Sequence, residues 1–238
     1  MSGDGDLVLL VPSRGRPDNV RRLLHACAET APDMTVFIGV DTTDSKFLQY
    51  LEIASERLTR GAVVTIPPEQ SNGQGMVGAL NILASLHTRD FEMVGFMGDD
   101  HLPRTANWSV ELCRAIKQQG GGIAYGNDLL QGSALPTAVV MESAIPRTLG
   151  YMAPPQLEHL WVDAVWRDWG MGLGQFTYRQ DIILEHLHPG ANKADWDIEY
   201  ARTGSSDKND RDIKAYQLYC EQRLQDDIMK LKKRHGAR

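Results

Sequence analysis

The sequence predicts an α/β protein with a mainly parallel, doubly wound sheet. Short apolar segments alternate with segments in which apolar residues recur every three or four positions, and this order of strands and helices builds such a sheet. Glycines and prolines separate the segments. With 238 residues, 42% of them hydrophobic, the chain is long enough for one domain with a substantial core.

The elements of the first half follow one another regularly. Strands are expected, in chain order, at Leu7–Pro12, Met34–Val40, Ala62–Ile66 and Phe91–Met97. The helices between them are expected at Pro17–Glu29, Ser45–Leu58 and Gly75–Leu86. Pro17 suits the first turn of its helix, where a missing N–H is tolerated.

The second half is less regular and rich in glycine. Strands at Thr137–Met141 and Phe176–His188, a helix at Leu157–Asp168 and a long polar loop at Ala191–Asp210 are expected there. From Asp212 onward apolar residues again recur at helical spacing. We therefore expect a main domain over 1–190, a polar segment over 191–210 that could close as a lid, and a C-terminal helix with a basic tail over 211–238.

Composition excludes several classes of protein. The net charge of −6 argues against a surface built entirely for nucleic acid, although a local basic groove is compatible with it. The three cysteines are far apart and match neither zinc nor disulfide spacing. No apolar run approaches a membrane span, and the start MSGDGDLVLL lacks the features of a signal peptide, so we expect a cytoplasmic protein. The oligomeric state is left open between a monomer and a homodimer.

The stretch FMGDDHLP places two adjacent carboxylates, Asp99 and Asp100, at the end of a buried strand. Open α/β sheets bind their ligands at this edge. Adjacent acids repel each other unless a positive group lies against them, and a divalent metal carrying a phosphate-bearing substrate would supply it. Because neighbouring strand residues point to opposite faces, the chain must turn here for both acids to approach one ion. A solvated Asp-Asp turn without function is the alternative.

A second group of candidate metal ligands lies in EHLHP. His186 and His188 are two residues apart, so on a strand both rings lie on one face. Imidazole together with carboxylate suits Mn²⁺, and Mg²⁺ is compatible with a site of mostly oxygen ligands. Histidines with a purely structural role are the alternative.

Three further motifs complete a recognisable order. VPSRGRP follows the first strand, IGVDTTD closes the second, and NGQGMVGALN opens the third helix. With FMGDDHLP, this order resembles nucleotide-sugar glycosyltransferases of the GT-A fold, particularly the inverting family two, over roughly residues 7–189. The resemblance implies a Rossmann-like sheet with helices on both faces. It also implies a nucleotide site with contributions from Pro12, Ser13, Arg14, Arg16, Asp41, Gly75 and Asn81, while the first Asn of the helix motif is displaced to Asn72.

The resemblance also assigns catalytic roles. Pro103 aligns Asp100 with the final, metal-binding Asp of the family's Asp-x-Asp motif. Gly98 replaces the first Asp, and Asp99 takes a supporting place at the donor. A late histidine, His186 or His188, would complete the metal site.

The family's catalytic base falls in LEHLWVDAVW. Asp163 is the stronger candidate and Glu158 the weaker, and the base would take the acceptor proton while that oxygen attacks the anomeric carbon. An exposed position or a helix cap beside tryptophan packing is the alternative for Asp163. If the polar segment closes over the donor, Lys193 would meet its diphosphate. Disorder of this segment is the alternative.

We therefore predict a metal-dependent glycosyltransferase with a nucleotide-diphosphate sugar as donor and Mn²⁺ or Mg²⁺ as cofactor. The acceptor stays open between a saccharide, a small metabolite, a protein and a hydroxymethylated pyrimidine in DNA. The last is included because HLWVDAVW and EHLHP also look similar to phage-encoded glycosyltransferases, for which the compartment would be the host cytoplasm.

Two other functions compete with this prediction. A nucleotidyltransferase of similar fold normally carries a glycine-rich, lysine-containing signature after its first strand, and PSRGRP is not that signature. A non-catalytic sugar- or nucleic-acid-binding module would need neither the metal acids nor a base.

Overall fold

A computed structural model describes residues 6–71, 75–203 and 205–235, so the motif position Asn72 lies outside the described residues. The described residues form one eight-stranded sheet. Its strands, in chain order, are β1 (Leu7–Ser13), β2 (Thr35–Asp41), β3 (Arg60–Ile66), β4 (Met93–Phe96), β5 (His101–Pro103), β6 (Ile123–Asn127), β7 (Val139–Glu142) and β8 (Phe176–His186).

Helices flank the sheet and continue beyond its last strand. In chain order they are α1 (Pro17–Thr30), α2 (Phe47–Ser55), α3 (Pro68–Ser71), α4 (Gly75–His87), α5 (Trp108–Gln118), α6 (Ala144–Leu149), α7 (Val162–Leu173), α8 (Ile198–Thr203), α9 (Ser206–Gln222) and α10 (Leu224–His235). In the described part of the chain no helix combines the length and apolarity needed to cross a bilayer.

The strand order is β3-β2-β1-β4-β7-β6-β8-β5. The four strands β3, β2, β1 and β4 are parallel, as are β6 and β8, while β7 runs antiparallel to both of its neighbours and β5 antiparallel to β8. Parallel neighbours require helical crossovers, and α1, α2 and α4 follow the first three strands accordingly. The predicted α/β class with a mostly parallel sheet is confirmed.

Alternation along β1 divides the core into two layers. Leu7, Leu9 and Val11 face one layer and Val8 and Leu10 face the other, because successive strand residues point to opposite sides. All five are buried, as expected for a central parallel strand covered on both faces. The first layer packs against residues of α1, α2 and α5, and the second against residues of α4, α6, α7 and α9.

Three predicted elements differ from the structure. The polar segment over 191–210 is not a long loop, because it contains α8 and the beginning of α9. Tyr200, the one well-buried aromatic residue of this segment, is 9% exposed. Its burial holds the otherwise hydrophilic segment against the rest of the domain. The predicted helix at Leu157–Asp168 begins later, at Val162. The predicted C-terminal helix is interrupted at Arg223 and forms α9 and α10.

Candidate active site

A cavity of about 730 Å³ opens where β1, β2 and β4 end. This volume lies within the usual range of small-molecule sites, and the position is the edge at which open α/β sheets bind ligands. Most of the predicted site residues line the cavity, namely Pro12, Ser13, Arg14, Arg16, Asp41, Gly75, Asp99, Asp100, Asp163, His186 and His188. The fold therefore brings together motifs that are far apart in the sequence.

Asp99, in the turn after β4, contacts both the last residue of β1 and the segment that follows β1. The Ser13 hydroxyl donates to Asp99 Oδ2 at 2.6 Å, and the Arg16 guanidinium lies 3.5 Å from Asp99 Oδ1. Burial raises the pKa of the Asp99 carboxyl, and the adjacent charge of Asp100 raises it further, against the opposing effects of Ser13 and Arg16. Asp99 thus has protein partners of its own, which agrees with a supporting role.

Asp100 lies between two imidazoles. His101 Nδ1 is 3.1 Å from Asp100 Oδ1, and His186 Nε2 is 3.4 Å from Asp100 Oδ2. The pairing of β5 with β8 sets His101 directly opposite His186, and the two rings stack with their centroids 4.2 Å apart. Burial would raise the pKa of Asp100, but the hydrogen bonds with both histidines overcome that effect and hold it well below the usual range. Asp100 is therefore an anion at neutral pH.

These three side chains fit a divalent cation. One ligand atom from each of Asp100, His101 and His186 lies within 4.8 Å of the others. An ionised carboxylate with two imidazole nitrogens is a donor set suited to Mn²⁺ and related transition metals, less so to Mg²⁺. His101 was not predicted as a ligand, although it directly follows Asp100, because only the strand pairing places it opposite His186.

His188 has a different environment. Its Nδ1 accepts a hydrogen bond from the Gly190 amide at 3.0 Å, and its ring centroid is 5.3 Å from that of His186. It lines the cavity but lies outside the compact group around Asp100. Its metal-binding role stays a prediction.

A cover segment, residues 196–202, extends over the acidic group from the C-terminal side. Arg16 forms two hydrogen bonds with the Asp197 carboxylate, at 2.7 and 2.6 Å, and its guanidinium lies 3.8 Å from the centre of the Tyr200 ring. The Tyr200 hydroxyl donates to Asp100 Oδ2 at 2.6 Å. Trp196 and Glu199 of the same segment line the cavity. Arg16 and Tyr200 thus connect the cover segment to both acids of the FMGDDHLP motif.

Replacing Tyr200 by phenylalanine should tighten Mn²⁺ binding roughly threefold to tenfold, because a cation at Asp100 Oδ2 competes with this hydrogen bond. Calorimetric titration with MnCl₂ alone measures the effect. Tyr178→Phe, a change on β8 away from the cavity lining, is the matched control and should bind Mn²⁺ like the wild type. An unchanged or weaker Kd in Tyr200→Phe would show that the hydroxyl does not compete.

Of the residues predicted to bind the nucleotide, one group lies at the cavity wall and a second group, Asn81 and Lys193, lies away from it. Asp41 accepts from Arg14 at 3.1 Å and from the Thr43 amide at 2.7 Å at the cavity wall. Gly75 also lines the cavity with φ of +54°, where a side chain would be strained and its Cβ would lie 3.2 Å from Glu158. These positions agree with the predicted site.

Asn81 and Lys193 are engaged elsewhere and do not line the cavity. The Asn81 amide donates to the Ala153 carbonyl and accepts from the Met152 and Ala153 amides, so it fastens α4 to the segment before α7. Lys193 forms an ion pair with Glu185 at 3.1 Å. The structure thus gives both side chains protein partners rather than a place at the predicted donor site.

The two candidate bases differ in their surroundings. Asp163 lies in the first turn of α7, and its Oδ1 accepts from the Ala164 amide at 2.8 Å. Burial raises the pKa of Asp163, which brings it closer to the value a general base needs. Glu158 is paired with Lys208 at 2.7 Å, and this hydrogen bond holds its pKa below the usual value. Asp163 is therefore the better proton acceptor.

The tryptophans around Asp163 have separate roles. Trp169 is fully buried and donates to the Tyr219 hydroxyl at 2.7 Å, so it belongs to the core. Trp166 is also buried and its indole N–H donates to the Met152 carbonyl, but it also lines the cavity. Trp161 lines the cavity and stacks on Tyr216 at 5.3 Å.

Comparison with known proteins finds similarity in fold but not in sequence. No protein-family model matches this chain, and no curated protein matches its sequence. Among solved structures, the mannosyltransferase PcManGT from Pyrobaculum calidifontis, in complex with GDP-Man and Mn²⁺, aligns with a TM-score of 0.60 and 13% identity over 77% of this chain and 57% of its own. TarS from S. aureus aligns with a TM-score of 0.57 and 14% identity over 76% of this chain and 37% of its own.

Glucosyl-3-phosphoglycerate synthase from Mycobacterium tuberculosis aligns with a TM-score of 0.56 and 10% identity, over 89% of this chain and 80% of its own. The present chain thus spans about a third of TarS and just over half of the mannosyltransferase, but most of the synthase. At these identities the likeness concerns the fold. The chain has the fold of the GT-A nucleotide-sugar glycosyltransferases.

Proposed function

We propose that this protein transfers a sugar from a nucleotide-diphosphate donor to an acceptor hydroxyl with the help of a divalent cation. The observation that carries the proposal is the meeting of two groups in one cavity: an ionised carboxylate between two imidazoles, and a separate carboxylate with a raised pKa. The first group suits a metal-bound diphosphate, and the second suits a general base. A solved structure of the same fold contains GDP-Man and Mn²⁺, which supports the choice of donor and ion.

The residues around the cavity have distinct roles in the proposed transfer. Asp100 with His186 and His101 would hold the cation, which when bound neutralises the charge that develops on the leaving diphosphate. Ser13, Arg14 and Asp41 belong to the wall that would hold the nucleotide. The cover segment would exclude water from the donor, since water is a competing acceptor.

Asp163 accepts the proton of the attacking hydroxyl in this proposal. The acceptor oxygen forms a bond to the anomeric carbon as the bond from that carbon to the diphosphate oxygen breaks, and the released proton passes to the Asp163 carboxylate. With a single base the transfer is one direct displacement, in which the acceptor oxygen attacks from the side opposite the leaving diphosphate. The anomeric carbon of the product therefore has the inverted configuration. The ion-paired state of Glu158 supports Asp163 in this role.

For the acceptor we retain two classes, a saccharide and a hydroxymethylated pyrimidine in phage DNA. The net charge of −6 favours the saccharide, because binding to DNA depends on cationic contacts with phosphates. DNA would also have to present a flipped base to the cavity. We place the protein in the cytoplasm, or in the host cytoplasm if it modifies phage DNA. Mass spectrometry of oligosaccharides and of hydroxymethylated DNA after incubation with donor separates the two classes.

Nucleotide binding tests the donor site. UDP or GDP with Mn²⁺ should raise the melting temperature, by an amount equivalent to about 2.7 kcal/mol when the ligand is at 100 times its Kd. The same nucleotide without metal, and the monophosphate with metal, should give much smaller shifts. A preference for a nucleoside triphosphate would favour the nucleotidyltransferase. The absence of any metal-dependent shift across all nucleotides would favour a non-catalytic module.

A further inference from the structure

The segment that leads to Asp163 is held by one buried carboxylate of a distant helix. Asp212 of α9 is 3% exposed. Its Oδ1 accepts from the Glu158 amide at 2.9 Å, and its Oδ2 accepts from the His159 and Leu160 amides at 2.9 and 2.7 Å. Three consecutive backbone N–H groups thus converge on a single side chain, although 52 to 54 residues separate them from it in the sequence.

Other residues on the same face of α9 contact the same segment. Lys208 pairs with the Glu158 carboxylate, and Asn209 accepts from the Trp161 indole N–H at 3.2 Å. Tyr216 stacks on Trp161. The other α9 residues that make these contacts are three or four positions away from residue 212, so all four lie on one face of the helix: 208, 209, 212 and 216. This face contacts the whole stretch over 158–161. We call this stretch the base-proximal loop.

The base-proximal loop needs such support. Trp161 has φ of +67°, a left-handed conformation that is unfavourable for a residue with a side chain. Asp163 follows two residues later in the first turn of α7, and four residues of the loop line the cavity. A carboxylate that accepts three backbone hydrogen bonds fixes the loop more strongly than neutral acceptors would. The direction in which α7 begins, and with it the position of Asp163, therefore depends on this contact.

We infer that Asp212 is a positioning residue for the reaction, and that α9 holds the base-proximal loop so that Asp163 meets the acceptor. The inference rests on the proposed function, in which Asp163 is the base. Asp212 itself does not line the cavity. Its role is to hold backbone amides, not to touch the substrate.

The test compares Asp212→Asn with Asp227→Asn in the full chain. In Asp212→Asn the side chain would present an amide N–H₂ where one carboxylate oxygen now accepts, so at least one loop N–H loses its partner. Asp227 is a matched control because it is also a buried acid of the C-terminal helices, 1% exposed, and accepts from Tyr151, Tyr219 and Lys230 away from the loop. Both variants should lose stability, but only Asp212→Asn should disturb the loop.

Two readouts are combined. Amide hydrogen exchange at residues 158–160 should be faster in Asp212→Asn by on the order of tenfold or more, and unchanged in Asp227→Asn. Release of nucleoside diphosphate from the best nucleotide sugar, with Mn²⁺ and with water as acceptor, should show kcat lowered roughly 10- to 100-fold in Asp212→Asn. The KM for the donor should stay near the wild-type value, because the nucleotide wall is not altered.

Unchanged exchange at 158–160, or faster exchange with wild-type kcat, overturns the inference. If Asp212→Asn does not fold, Asp212→Glu replaces it, because the longer side chain keeps the charge but moves the carboxylate away from its position against the three amides. Unchanged exchange at 158–160 and unchanged kcat in that variant overturn the inference equally. A failure of the proposed function gives a different result: the wild type then releases no nucleoside diphosphate from any nucleotide sugar.

Discussion

Replacing Asp100 by alanine should lower turnover by about a thousandfold or more, since a metal ion contributes several kcal/mol to leaving-group stabilisation in sites of this type. Asp100 is the carboxylate of the Asp100, His101 and His186 group, and its removal leaves two imidazoles that bind a cation weakly. The measurement is nucleoside diphosphate release over a range of Mn²⁺ concentrations. Mn²⁺ titrated without nucleotide should also show loss of binding.

Asp181→Ala is the control for Asp100→Ala. Asp181 lies on β8, pairs with Arg179, and has a side chain that is 66% exposed. Its replacement should leave turnover and metal dependence at the wild-type level. A folded Asp100→Ala protein that retains full metal-dependent turnover would mean that another group holds the ion, and it would remove the metal assignment from the FMGDDHLP motif.

Replacing Asp163 by asparagine should lower kcat by roughly 10²- to 10⁴-fold, the usual contribution of a general base. Nucleotide and Mn²⁺ binding should be retained, because Asp163 belongs to neither the nucleotide wall nor the metal group. Burial raises the pKa of this carboxyl, which means that its ionised form is disfavoured in the folded protein. The asparagine variant should therefore melt at a temperature no lower than that of the wild type. A loss of activity in this variant could then not be attributed to unfolding.

The pH dependence of the wild type follows from the same carboxyl. The base must be ionised, so activity should fall as the pH is lowered through the raised pKa of Asp163, a fall that begins above the ordinary range of an aspartate. Glu158→Gln tests the other candidate and should keep most of the turnover, since Glu158 is occupied by Lys208. An inactive Glu158→Gln variant together with an active Asp163→Asn variant would exchange the two roles.

Local patterns in the sequence predicted the parallel half of the fold well. The residues of β1 alternate between two core layers, with Leu7, Leu9 and Val11 in one and Val8 and Leu10 in the other, and this alternation depends only on the two-residue period of a strand. The carboxyl ends of parallel strands meet at one edge, so the motifs after β1, β2 and β4 converge whatever the details of packing. These features required no knowledge of long-range contacts.

Features that depend on long-range pairing were not predicted. His101 joins the metal group because β5 pairs with β8, and nothing local indicates that register. The cover segment is held at the site by long-range contacts, because Tyr200 bonds to Asp100 and Asp197 bonds to Arg16, which lie 100 and 181 residues away in the sequence. Asn81 matches the family motif, yet its side-chain oxygen accepts hydrogen bonds from the backbone amides of Met152 and Ala153. A motif identifies the residue type, whereas only the fold identifies its partners.

The most direct test of the proposed transfer is to follow the wild-type protein with a panel of nucleotide sugars and Mn²⁺ by NMR. We expect nucleoside diphosphate to appear together with a sugar product whose first-formed anomer is inverted relative to the donor. Mn²⁺ should be required, and the Asp163→Asn protein should form the same product far more slowly. Release of a nucleoside monophosphate or of pyrophosphate, or no product from any donor under conditions in which nucleotide and Mn²⁺ bind, would contradict sugar transfer as the function of this site.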